Sequence, residues 1–178
     1  AMMIYSSGTT GTPKGILLSQ QGLVDNARMT SQVLGYRDTD RFITLLPSFS
    51  SFGFSFDFAQ AALAGAATVI LPQFNPEVAV GLIDRYRVTC LAGVPTMFAK
   101  MFDPVALAGR DISSLRLIDV GGGPVAARLK RDLYSVFGVE TVESYGLTEI
   151  SPVASVQIPG SGCQGASCGP PLPGVEVT

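Results

Sequence analysis

No histidine occurs anywhere in the 178 residues. That absence removes the Ser-His-Asp hydrolases, the Cys-His proteases and every histidine zinc site together. Whatever chemistry the chain performs must run without imidazole, and attack by a carboxylate on a phosphate meets that condition, because a carboxylate is already ionised at neutral pH. Charge is also scarce: 15% of residues are charged and the net charge is −2. No basic patch recommends nucleic acid or an anionic membrane as a partner. The longest apolar stretch, near Ala61 to Leu71, is too short to cross a bilayer, which takes about 18 residues or more. A signal peptide is not visible either, since Ala1-Met2-Met3 leads straight into polar sequence, and the expected setting is the cytoplasm. The three cysteines, Cys90, Cys163 and Cys168, are too few and odd in number for a disulfide framework. Cys163 and Cys168 lack the further ligands that a tetrahedral metal site needs.

What the chain has is core. Hydrophobic residues make up 47% of it and the mean hydropathy is +0.36, enough for one domain with apolar surface to spare. Ser19 is an N-cap for a helix over 20–34 that ends at Gly35-Tyr36. Strands are predicted over 41–46, 67–71, 88–94, 115–120 and 141–145, and helices over 59–63, 76–86, 96–102 and 124–137. Asn75 caps the second long helix with Pro76 and Glu77 in its first turn. Pro124 opens the last helix in the same way, and Gly138 closes it. Strands alternating with helices predict an α/β fold, a mostly parallel sheet covered on both faces. Between 48 and 58, Phe49, Phe52, Phe54, Phe56 and Phe58 alternate with serines around Gly53. This segment reads as a strand-to-helix crossing or as an apolar wall, with plain core packing an equal reading. After Glu149 the texture turns to Pro, Gly, Ser and Cys, and the segment ending Gly174-Val175-Glu176-Val177 reads as a turn leading into a strand.

Three segments carry chemistry. Tyr5-Ser6-Ser7-Gly8-Thr9-Thr10-Gly11-Thr12-Pro13-Lys14-Gly15 combines glycines, short hydroxyls and one lysine without an acid, a loop suited to an anion such as phosphate. It is not the common P-loop, because Pro13 separates Gly11 from Lys14. Gly121-Gly122-Gly123-Pro124 follows a predicted strand, where a ligand can reach bare backbone; such glycines also serve as a simple tight turn. Ser144-Tyr145-Gly146-Leu147-Thr148-Glu149 ends another strand and offers a ring for a base, a hydroxyl for a phosphate and a carboxylate for Mg²⁺. A loop with a capping glutamate is the plainer alternative.

Taken together, Y-S-S-G-T-T-G-T-P-K-G, V-G-G-G-P-V and Y-G-L-T-E resemble, in order, the phosphate loop, the adenine-wall turn and the adenine-and-magnesium motif of the adenylate-forming superfamily, which includes acyl-CoA synthetases, luciferases and peptide-synthetase adenylation domains. L-P-S-F-S-S-F-G, L-P-Q-F-N-P-E, Y-R-V-T-C-L-A-G-V-P-T-M-F and G-P-P-L-P-G-V-E-V are similar to acyl-CoA synthetase segments, so essentially the whole chain is covered. The resemblance implies that Ser7, Gly8, Thr9, Thr10, Gly11 and Lys14 hold the β- and γ-phosphates of ATP. It implies that Gly122, Gly123 and Pro124 with Ser144, Tyr145, Gly146 and Leu147 enclose adenine, and that Thr148 and Glu149 hold the α-phosphate and Mg²⁺. Ser50, Phe52, Val94, Gly121 and Gly146 would line the acid pocket. The implied reaction joins a carboxylate to the α-phosphorus, releases pyrophosphate, and passes the acyl group to coenzyme A, with Lys14, Thr148 and Glu149 as the catalytic set.

Departures from the pattern narrow this. Ser50 stands where the family often has histidine, leaving a smaller, uncharged wall that suits a fatty or other apolar acid. Gly123 replaces the usual alanine. Leu147 fills a position that is proline in peptide synthetases, and Ser55-Phe56-Asp57-Phe58 lacks the serine of their F-D-x-S pocket motif, which favours the acyl reading over amino-acid adenylation. Members are roughly three times this long, beyond the usual domain size of about 100 to 200 residues. The downstream T-G-D segment, the hinge and the mobile C-terminal domain with its lysine are missing from these residues. The expectation is a central piece of the large N-terminal domain, inactive by itself and prone to self-association through uncovered apolar faces. A nucleotide-binding module without catalysis is the reading from another class.

Overall fold

The computed structural model describes residues 2–6, 13–162 and 167–177. An antiparallel hairpin comes first, β1 Met2–Ser6 paired with β2 Lys14–Leu18 so that Met3 faces Leu17 and Ser6 faces Lys14. The remaining strands are β3 Arg41–Ile43, β4 Ala67–Val69, β5 Cys90–Gly93, β6 Leu117–Val120, β7 Thr141–Gly146 and β8 Val153–Val156. They form one sheet in the order β4-β3-β5-β6-β7-β8, parallel except for β8, which runs antiparallel to β7.

Side-chain alternation along each strand splits the core in two. Ile43, Leu91, Ile118 and Val120 pack with Val80, Ile83, Phe98 and Leu133 on one face. Phe42, Cys90, Ala92, Leu117 and Val142 pack with Leu34 and Phe56 on the other. Burying each such large apolar side chain stabilises the fold by about 1.5–3 kcal/mol. The first face is covered by helices α4 Pro76–Tyr86, α5 Pro95–Met101, α6 Pro104–Leu107 and α7 Ala127–Phe137. The second is covered by α1 Gln20–Leu34 and by a helix over the phenylalanine segment, where α2 Ser51–Gly53 passes through a π-helical stretch, Phe54–Gln60, into α3 Ala61–Ala64. This mixed α/β architecture is the one the strand–helix rhythm predicts.

Where caps are written in the sequence, the ends fall as expected. The Ser19 hydroxyl accepts from the Gly22 N–H at 2.9 Å, Gly35 closes α1 with φ +61°, and Asn75 caps α4 by accepting from the Val78 N–H. Other ends differ. Thr44, Leu45 and Leu46 leave the sheet after Ile43, and the strand predicted over 67–71 stops at Val69. The strands predicted over 88–94 and 115–120 are Cys90–Gly93 and Leu117–Val120. Pro124 does not open α7, which begins at Ala127 behind a loop. The Pro/Gly/Ser region contains β8, which went unread, while 175–177 form no strand.

At the amino ends of the strands a polar knot fixes the sheet. Asp40 accepts from Arg116 Nε at 2.7 Å, from the Thr89 hydroxyl at 2.8 Å and from the Arg37 N–H at 2.8 Å. Burial pushes its carboxyl pKa up, but the Arg116, Thr89 and Arg37 hydrogen bonds outweigh that, and the net shift is downward.

Candidate functional site

The opposite, carboxyl ends of the parallel strands carry the sequence motifs, as open α/β sheets lead one to expect. A cavity of about 260 Å³ opens there, lined by Ser50, Ser51, Phe52, Gly122, Ser144, Tyr145, Gly146, Leu147 and Thr148 with Pro152 and Val153. Eight of the residues singled out in the sequence thus meet around one space. A larger cavity, about 520 Å³, lies between α7 and residues 157–162 and holds none of them. The smaller one is the better candidate because it gathers polar groups of different kinds at strand ends.

Each wall has a local cause. Ser50 caps α2, accepting from the Gly53 N–H at 3.0 Å, and this cap turns the chain so that Ser51 and Phe52 face the cavity. The Phe52 ring stands edge-on to Phe56, 4.8 Å between centroids. Gly121 leaves β6 by donating its N–H to the Gly93 carbonyl at 3.1 Å. A side chain at Gly121 would have to displace the cavity wall: its Cβ would lie 2.6 Å from Ser144 Oγ and 3.1 Å from the Phe52 ring. Gly122 has φ +72°, a conformation natural to glycine, and its missing side chain would meet Val94 Cγ1 at 3.2 Å. Phe52, Val94, Gly121, Gly122 and Ser144 are therefore one contact group. Gly123 continues outward, with Pro95 Cδ 3.9 Å from where its Cβ would be, and Pro124 lies exposed on the loop before α7.

On the far side, β7 bulges at Tyr145 and Gly146. The Tyr145 ring is 54% exposed at the cavity mouth. A Cβ on Gly146 would fall 1.9 Å from the Pro152 carbonyl oxygen, which accepts from the Leu147 N–H at 2.9 Å. Thr148 and Glu149 follow in a 3-10 turn, Thr148–Ile150. The Thr148 hydroxyl shares a hydrogen bond with Ser51 at 3.1 Å. Strand β2, which starts at Lys14, packs beside this turn, so the hairpin that flanks residues 7–12 adjoins it. Ser7, Gly8, Thr9, Thr10 and Gly11 lie outside the described residues.

Glu149 is exposed and engaged in no hydrogen bond or ion pair among the described residues. Nor do the described residues contain a group of three or more His, Cys, Asp or Glu able to hold a metal. One free carboxylate next to the segment that the resemblance assigns to phosphate is a donor set that suits Mg²⁺, which is usually held by one or two carboxylates plus phosphate oxygens and water.

Four contributors went unread. Ser51 lay inside a quoted segment, one residue from Ser50, and no periodicity distinguishes it. Pro152 and Val153 were hidden in the Pro/Gly/Ser texture. Asn26, buried on α1, donates to the Ile150 and Val153 carbonyls at 3.3 and 2.7 Å and accepts from the Val153 N–H at 3.2 Å. A lone asparagine inside a helical pattern gives no signal of such a clamp.

Among the described residues, no helix is long and apolar enough to cross a membrane. The family model of AMP-binding enzymes matches residues 1–178. An indoleacetate–CoA ligase from Aromatoleum aromaticum is 36% identical over 154 residues, 86% of this chain and 30% of the ligase. A long-chain-fatty-acid–CoA ligase from Bacillus subtilis is 27% identical over 99% of this chain and 32% of its own length. Among solved structures, the O-succinylbenzoate coenzyme A synthetase of Bacillus subtilis in complex with ATP and a magnesium ion superposes with a TM-score of 0.82 at 30% identity, over 96% of this chain and 35% of that one. ATP-bound MatB from Rhodopseudomonas palustris reaches 0.86 at 27% identity, over 96% and 33%. The chain thus spans about a third of the length of the proteins it matches. A match along its entire length places it among the AMP-binding enzymes, and the chain belongs to that family.

Proposed function

We propose that this chain is the nucleotide- and acid-binding part of an acid–thiol ligase that activates a carboxylic acid with ATP and transfers the acyl group to coenzyme A. The observation that carries the reading is the convergence, around one cavity at the strand ends, of the glycine turn and the Tyr145–Thr148 segment, with the phosphate-loop hairpin alongside. The CoA-ligase names of the relatives favour coenzyme A as acceptor over a carrier protein.

In this reading Lys14 and the loop from Ser7 to Gly11 hold the β- and γ-phosphates. Tyr145 stacks on adenine, whose edge lies against the bare backbone of Gly122 and Gly123. Glu149 would hold Mg²⁺, whose chemistry there would be to neutralise phosphate charge. Thr148 donates to the α-phosphate while a carboxylate oxygen bonds to the α-phosphorus and the bond to pyrophosphate breaks. No general base is required, so the absence of histidine is no obstacle. Catalysis is alignment and charge neutralisation. Phe52, Val94, Leu147, Pro152 and Val153 give the acid an apolar wall, which supports an acid with an apolar body. Self-association and a cytoplasmic setting belong to the same proposal.

The test is carboxylate-dependent exchange of labelled pyrophosphate into ATP by the full-length protein, with this chain assayed alongside. Exchange with an apolar acid, reduced roughly a hundredfold or more by Lys14→Ala and by Glu149→Gln, supports the reading. ATP binding without exchange for any acid would leave a non-catalytic nucleotide module in its place.

A further inference from the structure

Asp119 sits in the middle of the sheet on β6, with no exposed surface and with neither carboxyl oxygen hydrogen-bonded among the described residues. Strand alternation turns it to the same face as Leu117 and Gly121, the face that packs Phe42, Cys90, Ala92 and Val142. At Gly121 the space of the missing side chain is filled by Ser144 Oγ and the Phe52 ring, and both of those line the candidate cavity. Asp119 stands one pleat repeat, about 6.6 Å, behind that point. A chemical group that enters between Ser144 and Phe52 therefore meets the Asp119 carboxyl next, once the Phe52 ring turns aside.

The surroundings leave that carboxyl in want of a donor. Burial pushes its pKa up to about 7; the Ser144 hydroxyl pulls against this without reaching ordinary hydrogen-bond geometry, and the Glu143 carboxylate adds to the rise. Lys130, on the opposite face, is committed to Glu143. A buried polar group without a partner is costly, and a ligand that supplies the partner recovers that cost as affinity.

We propose that Asp119, with Ser144, forms the polar end of the acid pocket and selects carboxylic acids that combine an apolar body with an O–H or N–H donor remote from the reacting carboxylate. The inference rests on the cavity being the place where the acid is activated, as proposed above. It adds a polar far end behind the apolar Phe52 side of that cavity. A methyl group in the donor's position would leave the carboxyl bare, and sites built to bond a hydroxyl discriminate strongly against analogues that lack it.

Pyrophosphate exchange by the full-length protein with two acids of matched size, 3-(4-hydroxyphenyl)propanoate and 3-(4-methylphenyl)propanoate, tests it. The expected result is kcat/KM at least about tenfold higher for the hydroxyl acid, with Asp119→Ala bringing the ratio near one. A purely structural role would depress both acids alike and leave the ratio where it was, which overturns the inference. So does a wild-type enzyme that prefers the methyl acid or does not distinguish them; exchange itself would then still uphold the activation reading. Absence of exchange with either acid and with a wider panel of fatty and aromatic acids overturns both. Should Asp119→Ala fail to fold, Asp119→Asn and Ser144→Ala take its place, and a hydroxyl preference unchanged in both counts against the assignment.

Discussion

The hydroxyls of Ser51 and Thr148 meet at 3.1 Å, joining the first turn of α2 to the 3-10 turn after β7. Ninety-seven residues separate them in the chain. The bond holds Thr148 in one rotamer at the cavity wall, where the proposed mechanism needs its hydroxyl. Ser51→Ala frees that hydroxyl and should lower pyrophosphate exchange roughly fivefold to tenfold, the worth of about one hydrogen bond. Ser51→Thr keeps an oxygen in place and should restore most of it. Equal rates for the alanine and threonine variants would count against a positioning role.

Gly146 tolerates no side chain. A methyl group there would overlap the Pro152 carbonyl at 1.9 Å, so Gly146→Ala must shift the turn that carries Thr148 and Glu149. Overpacking against backbone should cost about 3 kcal/mol, read as a lower urea midpoint at unchanged slope. Gly138→Ala is a useful contrast, since its Cβ would meet nothing and only its φ of +66° opposes the change. It should cost about 1 kcal/mol.

Stability should fall as pH rises through neutrality. Burial raises Asp57 to about 8, against a hydrogen bond from the Leu46 backbone, and burial raises Asp119 to about 7. Both folded-state values lie above the ordinary 3.8, so between pH 4 and 7 the folded chain keeps protons that the unfolded chain has released. Unfolding then becomes easier with each step in pH, until Asp119 and then Asp57 ionise in the fold. The loss is at most about 4 kcal/mol for Asp119 and about 6 kcal/mol for Asp57. Asp40, shifted down, acts oppositely, and its contribution is lost as pH falls below the usual carboxylate range. Urea titrations from pH 4.5 to 8.5 should show declining stability, flattened in Asp57→Asn. A flat or rising profile in the unmodified chain would contradict these environments.

The outer face of the hairpin is apolar. Met3 and Leu17, paired in register, are 53% and 76% exposed, and Tyr5 lies beside them. The chain by itself should bind a hydrophobic dye and associate with rising concentration. Leu17→Lys should reduce both, as read by fluorescence and sedimentation. A monodisperse chain without dye binding would remove the expectation.

Legibility followed local chemistry. Helices α1 and α4 were readable to the residue because Ser19, Gly35, Asn75 and Pro76 act on neighbouring backbone and need no tertiary help. Strand ends were overrun at Leu46, Leu71 and Val94, since an apolar run measures burial and the sheet's pairing stops sooner. The helix through Phe52, Phe54 and Phe56 was ambiguous because alternation of aromatic and small residues imitates a strand, and the π-helical stretch displaces the usual helical spacing. The site's glycines and Tyr145 were legible through motif and position. Asp119 was read only as a strand residue: nothing in L-R-L-I-D-V tells that its carboxyl would lie bare beneath Gly121.

Asn26 has a consequence beyond packing. Strand β2 passes into α1 through the single residue Ser19, and from α1 this asparagine grips the backbone on both sides of Ser151 and Pro152. The hairpin, the helix and the 3-10 turn are in that sense one lever with no pivot between its ends. A shift of β2 would therefore carry the Thr148–Ile150 turn with it, so that Lys14 at one end and Thr148 and Glu149 at the other are tied through the protein as well as through the nucleotide they are proposed to share.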